Sequence, residues 1–271
     1  MIMPSIIETK LFLPILIVSG WVWLMSLVSC GKGVDPSLST KTLQVSKVVP
    51  LDGAVGAPSC KIEMSVDYVA DNDSIADKIN SGIVKMLFDI DGLSMEQAAD
   101  SFVSRYTADY VSFLKPFYDE DDGDKTKRPW YEYWYRLDAD IVQAEEGVVS
   151  VVAKREFFEG GAHSIEQKVM ANFEQSTGVM IRLADVFVPG YEARLADILQ
   201  KQLMQVVGAS DIQSLRDKGY LYSSDMFVSD NFLLGKDGVT FIYNPYEIAP
   251  YEMGITELTL DYDDIEDILK R

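Results

Sequence analysis

Histidine occurs once in 271 residues, at His163, and cysteine only twice, at Cys30 and Cys60. A single imidazole excludes any metal site built on paired histidines, and it leaves a Ser-His-Asp relay only if His163 is the base. Its position after Gly160-Gly161-Ala162 suits instead an imidazole that closes a turn on a backbone carbonyl. Positive charge is scarce as well: 24 Lys and Arg stand against 43 Asp and Glu, a net charge of −19. Such a surface repels nucleic acid, confers solubility and steers basic proteins toward it. No Gly-x-Ser-x-Gly elbow, His-Glu-x-x-His or phosphate-binding glycine loop is present, so the common hydrolase and nucleotide sites are missing. A carboxylate pair of the glycosidase type cannot be read from so many acids, because spacing in sequence says nothing of separation in space. The acidic run 119–124 invites a calcium reading, but counting back from Gly123 puts Tyr118 where an EF-hand needs its first aspartate. It reads as a solvated loop balanced by Lys125, Lys127 and Arg128. The sequence therefore points to a non-catalytic protein with no metal and no cofactor.

The one long apolar run, Leu11 to Val28, ends in Leu27-Val28-Ser29-Cys30, a bacterial lipobox. A transmembrane helix is the competing reading, since eighteen apolar residues just suffice to span a bilayer. Residues 1–29 are accordingly a lipoprotein signal peptide, with Cys30 the lipidated residue that ties the chain to a bacterial membrane outside the cytoplasm. With Cys30 acylated, Cys60 has no disulfide partner, so stability comes from a packed core. Gly31-Lys32-Gly33-Val34-Asp35-Pro36-Ser37 opens a tether over 30–42, and order begins near Leu43.

Beyond the tether, hydrophobic periodicity alternates between two and 3.6. Cys60 to Tyr68 reads as a strand with Ile62, Met64, Val66 and Tyr68 inward. Ile75, Ile79, Ile83 and Leu87 mark a helix capped by Asn72 or Asp73. Ser94 and Gln97 form a capping box ahead of Ala98, Phe102, Tyr106, Tyr110, Phe113 and Phe117, a long helix broken near Pro116. Strands then run from Tyr131 to Ile141, Val148 to Phe158 and His163 to Phe173, an antiparallel meander at the centre of the sheet. A second long helix spans Leu195 to Val206, a hairpin turns at Gly235–Gly238, and a short helix closes the chain at Asp263–Lys270. The expected fold is α+β, with helices on an antiparallel sheet and two intimately packed halves, 43–161 and 162–271.

The least ordinary stretch is Tyr243-Asn-Pro-Tyr-Glu-Ile-Ala-Pro-Tyr-Glu-Met-Gly254. It lies between two alternating segments, and Pro245 and Pro250 stiffen it. Stiff, tyrosine-rich loops suit recognition, whereas an ordered corner covering the core is the alternative. Tyr243 is in phase with Val239 and Phe241 and belongs to the core. Tyr246 and Tyr251 are the candidate anchors, with Pro250 between them and Glu247 and Glu252 as the charges that meet a cationic partner.

This stretch, together with Gly160-Gly161-Ala162-His163, Asn172-Phe173 and Thr177-Gly178, resembles the extracytoplasmic domain pair of the anti-sigma factor RsiV and of the deacetylase PdaC, over roughly residues 60–262. The resemblance implies helices packed on an antiparallel sheet, and a lysozyme receptor as in RsiV. The sequence here holds neither an anti-sigma segment nor a deacetylase domain, so no signalling route and no catalytic residue is carried over. The expected function is a binding module for an extracellular protein, a basic one such as lysozyme. A cell-wall glycan-binding or scaffolding module is the alternative, and a hydrolase using His163 or a carboxylate pair is the third reading.

The anchor is directly testable. Cys30→Ser should move the protein from the membrane to the soluble fraction; retention on the membrane with residues 1–29 still attached would identify a transmembrane segment instead.

Overall fold

The computed structural model describes residues 38–270 apart from 55, 123, 125 and 223. The stretch read as a signal peptide, Cys30 and the stretch read as a tether up to residue 37 lie outside the described residues, as do Gly123 and Lys125 of the acidic loop. Two strands open the fold, β1 (Thr40–Pro50) and β2 (Ser59–Val69), paired antiparallel along their whole length. β1 begins inside the stretch read as tether. It is an edge strand with Leu43 as its one fully buried side chain, so its alternation is too faint to announce it. β2 buries Cys60, Ile62, Met64, Val66 and Tyr68, the expected inward face.

Two helices follow. In α1 (Ser74–Phe88), the Asp73 carboxylate accepts Ile75 N–H and Ala76 N–H at 2.9 and 2.8 Å, satisfying donors that the first turn leaves open. α2 (Met95–Glu120) starts from the Ser94/Gln97 capping box. It does not break near Pro116 but runs through it. Pro116 and Ser112 both face solvent, so the carbonyl deprived of its donor lies on the open side of the helix, where the ring is tolerated.

A 3-10 turn (Arg128–Tyr131) leads into β3 (Tyr133–Glu145), β4 (Val148–Phe158), β5 (Ile165–Glu174) and β6 (Met180–Ile181). The sheet order is β1-β2-β3-β4-β5-β6. Every neighbouring pair is antiparallel except β2–β3, which is parallel. The two helices supply that crossover, since they return the chain to the end of the sheet from which β2 started. Gly82 lets α1 settle directly on β5: a Cβ there would lie 2.4 Å from the Phe173 ring.

The remainder makes a second layer: α3 (Leu183–Val186), α4 (Glu192–Val207), α5 (Ile212–Asp217), then the sheet β7 (Phe232–Leu234), β8 (Gly238–Tyr243) and β9 (Thr256–Asp261). α4 packs on β9 rather than on the six-stranded sheet. The expected short closing helix forms as a 3-10 helix (Tyr262–Ile268), the tighter form that short connectors adopt. Two cores result. One gathers β1–β5, α1 and α2; the other gathers Leu195, Leu199, Phe241, Leu258 and their neighbours from Leu183 onward, with Val148 as its contribution from the large sheet. β5 gives Ala171 and Phe173 to the first core and also packs on β7. Among the described residues no helix is long and apolar enough to cross a membrane.

Asparagine side chains join the layers. β6 pairs only with Asn172 and Phe173 of β5, which leaves the preceding edge of β5 without a strand partner. Asn244 takes Lys168 N–H at 2.7 Å and gives an amide hydrogen to Lys168 C=O at 3.1 Å. Asn231 does the same one step along, accepting Met170 N–H at 2.8 Å and donating to Lys168 C=O at 2.7 Å. Asn172, 1% exposed, donates to Phe232 C=O at 2.8 Å while its oxygen accepts Leu234 N–H at 3.1 Å and Ser150 O–H at 2.9 Å. Each amide presents one acceptor and a donor pair, so it can stand in for a strand's backbone.

Asn172→Ala strands three polar partners at once and should cost on the order of 3 kcal/mol in urea unfolding. A loss under about 1 kcal/mol would mean that water replaces the amide at little cost.

Candidate functional site

β8 delivers the chain to the loop through Tyr243, which is fully buried and donates its hydroxyl to Phe227 C=O at 2.7 Å. Burial holds its phenol above the ordinary range. The loop then closes on itself. Asn244 N–H donates to the Glu247 carboxylate at 2.9 Å, Glu247 N–H to Asn244 C=O at 3.1 Å, and Tyr246 N–H to Ala249 C=O at 2.9 Å. Ile248, 4% exposed, plugs the loop into the second core, and its carbonyl accepts Leu221 N–H at 2.8 Å. Pro250 starts a 3-10 turn (Tyr251–Met253), and Gly254 leaves it at φ 68°, a positive φ that glycine adopts without cost.

The backbone is strained on both sides of a groove. Tyr246 sits at φ 73° and Leu221 at φ 51°, left-handed conformations that cost a non-glycine residue roughly 1–2 kcal/mol each. Between them runs a groove of about 340 Å³, lined by Gly219, Tyr222 and Ser224 on one side and residues 246–250 on the other. Strained Tyr246 and Tyr222, which follows strained Leu221, carry the two most open rings nearby, 63% and 83% exposed. Gly219 permits the close approach, since a Cβ at its φ of 93° would meet Met253 Cε at 3.3 Å.

His163 joins the site from the other layer. The turn before β5 places Gly160 and Gly161 at φ 79° and 100°, and the His163 ring stacks on Tyr251 with centroids 3.6 Å apart and planes at 11°. Tyr246 continues the ladder, 6.1 Å from Tyr251 at 30°. His163 Nδ1 donates to Ser164 C=O at 3.2 Å, a contact with the next residue rather than a bond that closes the turn. Among the described residues that is its one polar partner. The union of residues 163 and 251 is absent from any pattern in the sequence, whereas the run Gly219-Tyr-Leu-Tyr222 is a signal that went unread.

The remaining candidates divide. Pro250 and Glu252 are exposed, and Glu252 has no hydrogen bond or ion pair among the described residues. Glu247 is exposed but already holds Asn244 N–H. In the acidic loop, Asp121 binds Lys127 and the Tyr131 hydroxyl, which together hold its carboxyl below the usual range. Asp124 accepts Thr126 N–H and O–H at 2.9 and 2.7 Å. Cys60 is fully buried, and burial, followed by the charge of Glu159, pushes its thiol up to about 12; it is a core residue and no nucleophile at neutral pH.

Strand register fixes where the site sits. Pro50 faces Ser59, Cys60 faces Tyr133 and Phe157 faces Ile165 at one end of the large sheet, while Thr40 with Val69 and Val148 with Glu174 mark the other. His163 precedes β5 at the first end. Eleven residues of β1 separate it from the entry of the chain at Thr40, roughly 35 Å of strand.

Tyr246→Gly removes the left-handed strain and an exposed ring together, so stability in chemical unfolding should stay within about 1 kcal/mol of the parent. Tyr243→Ala, three residues earlier, should cost roughly 3–5 kcal/mol. A large loss from Tyr246→Gly would show that this ring holds the loop together.

Residues 184–263, which include the loop, Asn231 and Asn244 but not His163, match the family model described as a protein of unknown function, DUF3298. No curated protein matches the chain. The fold is similar to the crystal structure of a DUF3298 family member from Bacteroides fragilis NCTC 9343, 28% identical over 87% of this chain and 94% of that one, with a TM-score of 0.80. A DUF3298 family protein from Pseudomonas aeruginosa PAO1 shares the fold at 19% identity and a TM-score of 0.61, over 87% of this chain and 95% of its own. The chain thus carries a DUF3298 match in its second layer, and the architecture of both layers recurs in proteins of that family.

Proposed function

We propose that this chain is a non-catalytic envelope lipoprotein, anchored through Cys30, whose aromatic groove binds an extracellular protein, a basic one of the lysozyme kind. The observation that carries the reading is the ladder His163–Tyr251–Tyr246 beside Tyr222. The Tyr246 ring is held open to solvent by a strained backbone, and strain at an exposed residue is retained where it serves a ligand. The loop beneath them is closed by its own hydrogen bonds, so little ordering entropy is lost on binding. The net charge of −19 and the unpaired Glu252 favour a cationic ligand and speed its approach. The likeness of the motif residues to RsiV, whose corresponding part receives lysozyme, supports the same ligand class. Display at the end of the sheet opposite Thr40 suits a receptor tethered by its N-terminus.

A second reading, a module for cell-wall glycan, draws on the stacked rings alone, because tyrosine faces also pack against sugars. Ionic strength separates the two. Calorimetric titration with lysozyme should give tight binding at low salt that weakens strongly as salt rises, whereas glycan stacking responds little to salt. Tyr246→Ala and Tyr251→Ala should each cost about 2 kcal/mol or more of binding. No heat with lysozyme at low salt would remove the named ligand, and full affinity in both tyrosine variants would remove the groove.

A further inference from the structure

The apolar stripe of α2 is longer than the surface it packs on. Phe102 lies 4.8 Å from Tyr135 and Tyr110 lies 5.2 Å from Tyr133, both on β3. The next members of the same three-and-four spacing are Phe113 and Phe117, which are 63% and 51% exposed and pack edge to face on each other at 5.8 Å. The adjoining 3-10 turn is tied to the end of α2 by the Tyr118–Tyr131 ring contact at 5.4 Å and by the Tyr131 hydroxyl on Asp121, and it holds out Trp130, 61% exposed. A lone exposed aromatic is ordinary, but a pair of exposed rings in mutual contact at a helix end, with a third on the turn tied to that end, is more than scattered exposure.

Charge decides what that surface meets. Asp109 and Glu120 border the stripe, exposed and without an ion pair among the described residues, and Asp119 beside them is held by Lys115. The nearby cations are taken, Lys115 by Asp119 and Lys127 by Asp121. An acidic border repels an anionic bilayer, and it repels a second copy of a chain at −19. Its complement is an apolar side-chain cluster flanked by lysine or arginine. We propose that Phe113, Phe117 and Trp130 form a docking surface for a cationic amphipathic segment of a partner protein, distinct from the tyrosine groove and independent of the ligand assigned there.

The probe is a synthetic amphipathic helix of leucine and lysine, titrated calorimetrically into the full chain. It should bind, and the double variant Phe113→Ser/Phe117→Ser should lose about tenfold or more in affinity with an unchanged melting temperature, since both rings lie outside the core. A peptide with glutamate in place of lysine should not bind. Equal affinity in the double variant, or equal binding of the glutamate peptide, would overturn the proposal. So would a comparable loss on Tyr246→Ala, which would place the peptide in the groove. A dimer in ultracentrifugation that the double variant dissolves would assign the face to a second copy, and phosphatidylglycerol vesicle binding lost in that variant would assign it to a membrane; either outcome refutes a cationic protein partner.

Discussion

Side-chain amides of Asn231 and Asn244 complete the ladder on β5 where no strand does. A sheet edge buried against another layer has to satisfy every backbone donor and acceptor, since each one left unpaired costs about 1–3 kcal/mol. A strand of the small sheet laid alongside β5 would meet that need, but it would merge the two sheets into one. Amides satisfy Lys168 and Met170 point by point and leave the small sheet free to take its own orientation. Asn172, within β5, makes the reciprocal contacts to β7. The two cores are thereby kept separate yet fixed to one another.

That joint also positions the candidate site. Asn244 is at once the clamp on Lys168 and the first residue of the loop, while Tyr243 before it is locked in the core. With its root held on both sides, the loop can carry a left-handed tyrosine that an unsupported segment would relax. His163 belongs to the turn just ahead of the same β5 edge, so the clamp that sets the layers in register brings its ring over Tyr251. Scaffold and site share residues, and Asn172 and Tyr243-Asn244, among the most distinctive in the sequence, are structural ones.

The exposed aromatics follow a different logic. On α2 the stripe spacing continues for two turns past the last ring that packs on β3. Burying a phenylalanine side chain is worth roughly 2 kcal/mol, so Phe113 and Phe117 forgo a gain that polar residues would not have offered. With Tyr222 and Tyr246 they place the large uncovered rings toward the end of the molecule remote from Thr40.

Much of the fold was legible because hydrophobic period and local capping are short-range properties. The buried face of β2, the Asp73 and Ser94 caps, the three-stranded meander, the β7–β8 hairpin and the core placement of Tyr243 all follow from spacing within a dozen residues. What failed had a longer range. Nothing in the spacing around Pro116 says that its ring faces solvent, where a helix can tolerate it; that depends on which side the core lies. The faint alternation of β1 reflects an edge position, and an edge exists only once a sheet does. Whether helix α4 lies on the large or the small sheet, and that β2 and β3 run parallel, are facts of topology. The site divides in the same way. The sequence determined that Tyr246 and Tyr251 stand on a stiff loop, since proline and glycine act locally on φ. Only tertiary structure could bring His163 onto Tyr251, set Tyr222 across the groove and leave Phe113 uncovered by the sheet, because each depends on the packing of elements far apart along the chain.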